Sequence, residues 1–148
     1  MTLSMGRAQR EAFLADVHVG VLAVEEPGHA PLAVPIWYAY EPGGELWIVT
    51  EAGSRKGRLL RAAGRFRLCA QSEAPPYRYV SVEGRIRGIA PADVERHVRP
   101  LARRYLGPEL GDRYVEATRG GDGEAIVVRM SPEHWLTVDY SRQFDAAR

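Results

Sequence analysis

The sequence predicts a mainly β protein, a small antiparallel barrel, closed or partly closed, with two or three helices on its periphery. Three observations carry this. The apolar runs are short and broken by Gly and Pro, so they do not read as long helices. Several alternate with a period of two, which puts apolar side chains on one face of an extended strand. Turn signals such as Pro42-Gly43-Gly44 stand between neighbouring runs and join them as hairpins. The 148 residues, 45% hydrophobic and 26% charged, suit one folded domain spanning 1–148 with a core of its own.

The elements follow in order. Residues 1–16 hold an N-terminal helix, Gly6 to Asp16, in which Ala12, Phe13 and Leu14 sit among Arg and Glu. His18 to Val24 is the first strand. Leu32 to Tyr40 is the second, with Leu32, Val34, Ile36, Tyr38 and Tyr40 on one face and Pro35 and Trp37 on the other. Glu45 to Thr50 follows the turn. A helix is expected from Arg55 to Ala63, stopped by Gly64 in the left-handed cap position. Strands Arg65–Gln71 and Tyr77–Ala90 come next, and Gly84 within the second marks a bulge or a close backbone approach. Helices are expected over Ala92–Leu106, split at Pro100, and over Pro108–Ala117. Arg119 to Gly123 reads as an exposed glycine-rich loop. Strands Ala125–Met130 and His134–Tyr140 close the domain, and residues 141–148 read as a loose tail.

The totals also exclude functions. A net charge of +1 gives no global field for nucleic acid or an anionic membrane. The single cysteine, Cys69, rules out an intrachain disulfide and a zinc–thiolate site; between Leu68 and Ala70 it reads as a buried strand residue. His18, His29, His97 and His134 lack ligand spacing, so no metal is expected. No secretory signal and no run of about eighteen apolar residues is present, and a cytoplasmic location is the expectation.

One segment departs from this neutral background. From Ser54 to Gln71 there is no acidic residue, yet Arg55, Lys56, Arg58, Arg61, Arg65 and Arg67 are present. Ser54 suits a helix N-cap, which places Arg55 and Lys56 in the first turn, where cations are disfavoured by the free N–H groups. A phosphate bound there reverses the sign, since backbone N–H groups, the Ser54 hydroxyl and two cations would converge on it. Gly57 would admit close approach of a ligand or another chain. The competing reading is a solvated basic helix that only confers solubility.

The same residues carry a resemblance. Thr50-Glu51-Ala52-Gly53-Ser54-Arg55-Lys56-Gly57-Arg58-Leu59-Leu60 resembles the FMN-phosphate segment of the pyridoxamine 5′-phosphate oxidase family. Arg78-Tyr79-Val80-Ser81-Val82-Glu83-Gly84 is similar to a second strand of that family, at nearly the family's separation. The resemblance implies a six- to seven-stranded antiparallel split β-barrel of Greek-key type, homodimeric, with FMN at the subunit interface. It implies phosphate ligands at Arg55 and Lys56 beside Ser54, and Val49 and Thr50 lining the same end. It also implies a strand Val34-Pro35-Ile36-Trp37 beside the flavin and Tyr79 where the family has a glutamine. The strand around Pro35, Trp37 and Tyr38, and the Pro132-Glu133-His134-Trp135 ending, look closer to split-barrel reductases that use the deazaflavin F420, so F420 stands as the alternative cofactor. The oxidase's basic residues are replaced here by Val34 and Ala39, and its C-terminal substrate element is missing around Trp135–Asp139. True pyridoxamine-phosphate oxidase activity is therefore not expected.

The implied activity is a flavin-dependent oxidoreductase that moves hydride to or from a flat, conjugated small molecule, with the chemistry in the cofactor and no catalytic side chain. Trp37, Tyr38 and Tyr79 are candidate pocket walls, each with a plain packing role as the competing reading. Trp135 is expected near a subunit seam, and Glu83 is expected to pair with Arg85 or Arg87. Two rival classes remain. One is a barrel that binds or senses a flavin or other ligand without turnover. The other is nucleic-acid binding through Arg58, Arg61, Arg65 and Arg67, which needs interleaved stacking aromatics where only Phe66 occurs.

Overall fold

The computed structural model describes residues 2–121 and 123–145. A helix α1 (Arg7–Ala15) leads into strands β1 (Gly20–Val24), β2 (Leu32–Ile36), β3 (Ala39–Tyr40) and β4 (Leu46–Glu51). Helix α2 (Arg55–Ala63) precedes β5 (Arg65–Gln71) and the long β6 (Arg78–Pro91). A π-helical turn, Val94–Val98, runs into α3 (Arg99–Thr118); β7 (Ala125–Met130), β8 (His134–Asp139) and a short α4 (Ser141–Asp145) follow. No helix among the described residues is long and apolar enough to cross a membrane.

All strand pairs are antiparallel, in the order β2-β1-β5-β6-β7-β4-β3, with β8 on β6. The path starts on β2 and ends on β3, two pieces of one nine-residue run, so the sheet curls back on itself. The mainly β split-barrel expectation holds. The expected single strand Leu32–Tyr40 is instead broken at Trp37 and Tyr38. Its alternation survives the break, but β2 pairs with β1 whereas β3 pairs with β4, so the chain must turn between two sheets. The long β6 does the same by bending: its first half lies between β5 and β8, and its second half pairs with β7 after a register shift between Ile86 and Gly88.

Inward-facing Leu22, Leu68, Val80, Val82, Ile48, Val128 and Met130 are fully buried, and Phe13, Leu14 and Leu60 cap them from α1 and α2. Gly84 fits the close approach read from its position, because a Cβ there would fall on the Ser131 carbonyl oxygen. Pro100 stands in the first turn of α3, just after the π-helical turn. Gly107, the residue between the two expected helices, has a φ of 84° and a ψ of 168° and divides α3 into two legs. The tail needs correction: residues 141–145 are helical, and Arg142 donates to the Ser4 carbonyl at 2.6 Å and to Gln9 Oε1 at 2.7 Å. Positions 146–148 lie outside the described residues. Glu83 pairs across the sheet with Arg67 (2.7 Å), its register partner, not with Arg85 or Arg87.

Candidate functional site

The α2 helix begins as its sequence dictates. Ser54 is the N-cap, in extended conformation, and its Oγ accepts from the Gly57 N–H at 3.1 Å. Its hydroxyl donates to the Glu51 carbonyl at 2.7 Å. Among the described residues, the backbone N–H groups of Arg55 and Lys56 meet no acceptor, the usual state of a first helical turn and the origin of its affinity for anions. Gly57 does not serve a ligand: a Cβ there would fall on the Glu51 carbonyl oxygen and lie 2.8 Å from that of Ala52. The glycine lets the helix start fold tightly against the strand that feeds it.

A cleft of about 350 Å³ opens beside this turn, lined by Val19, Pro35, Ile36, Trp37, Val49, Lys56, Val98, Leu101 and Tyr114. The barrel supplies one wall and the hairpin of α3, with its preceding turn, the other. An adjoining recess of about 360 Å³ shares Val49, Val98 and Tyr114 and runs past Thr50 and Glu51 to Gly120 and Gly121. Lys56 is the chain's only lysine. It therefore sets one cation into an otherwise apolar and aromatic cleft.

The structure brings together Pro35, Ile36, Trp37, Val49 and Lys56 from the residues named in the sequence. The others are placed differently. Val34 faces the core with Leu22 and Leu68; Thr50, though buried with its hydroxyl 3.4 Å from Ser54 Oγ, borders the adjoining recess beside Val49. Arg55 is committed to Glu26: its Nε donates to Glu26 Oε2 at 2.6 Å, and Nη2 meets the other carboxylate oxygen. That guanidinium holds the Glu26 carboxyl below its ordinary value. Tyr79 lies on the outer face of β6, in register with Gln71 and Val138, and lines no part of the cleft. Tyr38 is core rather than wall, fully buried with its hydroxyl donating to the Leu14 carbonyl at 2.7 Å. Trp135 packs inward against Tyr40, under the Arg10 guanidinium, and not on an open face.

Val19, Val98, Leu101 and Tyr114 also line the cleft, without a sequence signal that assigns them to it. The helical spacing of Val94, Val98, Leu101 and Tyr105 marks a buried face, but nothing local says which part of the barrel it covers. The covering contact is Trp37. Its indole lies flat on the Tyr105 ring, with centroids 5.2 Å apart and planes 5° from parallel, and Tyr114 meets it at 56° and 5.3 Å. Such a stack contributes about 0.5–1.5 kcal/mol beyond area burial.

The outer face of β1, β2, β5, β6 and β8 carries an apolar row of residues beside the Arg67–Glu83 ion pair. Val19, Val21 and Leu136 are 55%, 41% and 57% exposed, and Pro35 and Cys69 lie in the same row as Val21 and Leu136. Partial burial raises the Cys69 thiol above its usual value. Val19 and Pro35 belong to both this face and the cleft.

Comparison with known proteins bears on this architecture. A crystal structure of a conserved hypothetical protein from Mycobacterium tuberculosis superposes with a TM-score of 0.77 at 24% identity, covering 96% of this chain and 89% of that one. A structure described as an F420 reductase matches with a TM-score of 0.70 at 23% identity over 85% of this chain and 94% of its own. An FAD-binding protein from Mesorhizobium loti gives 0.61 at 18%, covering 90% and 93%. At these identities the likeness is one of fold. No curated protein matches. The family model for pyridoxamine 5′-phosphate oxidase matches residues 7–139, from the first helix through the basic turn and the hairpin to the last strand. The chain belongs to that family.

Proposed function

We propose that this protein is a flavin-dependent oxidoreductase that binds FMN in the cleft between barrel and hairpin and acts as a homodimer. The observation that carries the reading is the meeting of Lys56 and the open N–H groups of the α2 first turn with an aromatic cleft. A terminal phosphate suits the first feature and a flat ring the second. The cleft's volume lies in the range of roughly 300–1,000 Å³ usual for small-molecule sites.

When bound, the flavin supplies the two-electron chemistry, passing hydride to or from a flat conjugated molecule. The chain's residues bind and shield. Lys56 and the N–H groups of Arg55 and Lys56 neutralise the phosphate, and Arg55 adds its charge when shared with Glu26. Pro35, Trp37 and Val49 flank the ring and exclude water. Only Lys56 and Tyr114 among the lining residues are titratable, so proton delivery by a side chain has few candidates. The exposed apolar face supports a dimer, because it runs into the cleft through Val19 and Pro35; Tyr79, on that face, would reach a cleft only across the subunit boundary.

A second reading uses F420 at the same site. It draws support from the F420 reductase among the similar folds and from the exposed Arg58 and Arg61 on α2, which suit an acidic tail. Cofactor-stripped protein titrated with FMN and with F420, followed by fluorescence, tests both, with Arg55→Ala/Lys56→Ala as control. Tight binding of one cofactor, weakened at least about tenfold in the double variant, is the expected outcome. Binding of neither by a folded wild-type protein refutes the oxidoreductase reading.

A further inference from the structure

The break at Trp37 and Tyr38 leaves backbone groups that no neighbouring strand pairs, and one side chain from the hairpin meets them. The Tyr105 hydroxyl accepts from the Tyr38 N–H at 3.1 Å and donates to the His18 carbonyl at 2.7 Å, with the Tyr38 carbonyl oxygen also 3.1 Å away. The same residue's ring is the one that lies flat on the Trp37 indole. Tyr105 therefore holds the residue after Trp37 by its main chain and Trp37 itself by its side chain. Tyr105 does not line the cleft, whereas Trp37 does. A phenylalanine would keep the stack and lose the backbone anchor; the hydroxyl ties the stack to a fixed point on the barrel.

We propose that Tyr105 is a positioning residue, acting through Trp37 to set the aromatic wall against which the planar ring of the bound cofactor lies. This rests on the cleft being the cofactor site. A residue that merely strengthened the hairpin would lower stability without acting through Trp37. One that acts through Trp37 must lose its influence on binding once the indole is gone.

The test is a double-mutant cycle of Tyr105→Phe and Trp37→Leu, reading the Kd for FMN and for F420 together with the thermal midpoint. Tyr105→Phe is expected to weaken binding of the preferred cofactor by about three- to tenfold, the coupling usual for side chains in contact. In the Trp37→Leu background, where no ring remains to stack, the same change should leave Kd unaltered. An unchanged Kd for Tyr105→Phe in the native background, or losses that multiply in the double variant, overturns the proposal even where wild-type binding is tight. Absence of binding by the wild type removes the site, and the proposal with it.

Discussion

Arg55 and Lys56 are neighbours in the chain and meet different surroundings. Lys56 faces the cleft, while Arg55 turns to Glu26 in the loop after β1. The carboxylate both orients Arg55 and competes with any anion for it. Glu26→Gln should therefore tighten FMN binding by about two- to fivefold at low salt, with the gain vanishing as salt screens the pair; titration at two ionic strengths reads this, and weaker binding would mean that Glu26 acts chiefly as an orienting group. The N-cap at Ser54 could be read in the sequence because capping is local, needing only Ser54 and Gly57. The Arg55 partner could not, since Glu26 lies 29 positions away and reaches it only through the fold. Val34 shows the same limit, because strand alternation fixes opposite faces without saying which one a pocket uses.

Among the elements, α2 and β5 match their expected bounds, since both are delimited by Ser54, the left-handed Gly64 and the turn after Gln71. The sequence marks two helices in the α3 hairpin but carries no local signal that they pack as one unit. Its legs are held by Asp112, which accepts from Arg99 Nη1 and from Arg103 at 2.8 Å, and by Gly111, where a Cβ would lie 2.8 Å from the Arg103 backbone. The hydrogen bonds from Arg103 and Arg99 depress the Asp112 carboxyl from 3.8 to about 2. Because the folded value is lowered, the stabilisation is complete above the unfolded value and is lost as pH falls through about 2. Asp112→Asn should lower the thermal midpoint near neutrality and flatten its acid decline below about pH 4; a midpoint identical to wild type at every pH would show that the exposed pairs contribute nothing.

For the whole molecule, the curled sheet could be read from short runs and turns, whereas the position of its uncovered face could not. The two apolar sides of residues 32–40 divide in the structure: Trp37 goes to the hairpin, and Pro35 lies on the outer face. On that face the exposed apolar residues include Val19, just before β1, Val21 in β1 and Leu136 in β8. Leu136→Asp is expected to yield a monomer by sedimentation, with cofactor affinity reduced at least about tenfold, since a charge centred in a buried interface costs several kcal/mol; a wild-type protein that sediments as a monomer would defeat the dimer reading. The distribution of basic groups has a practical corollary. Lys and Arg together number 20, yet Lys56 is the single lysine and it lines the cleft. Apart from a terminal amine, any amine-directed dye, crosslinker or coated bead will attach through the cleft itself, so a tethered preparation of this protein would block its own pocket.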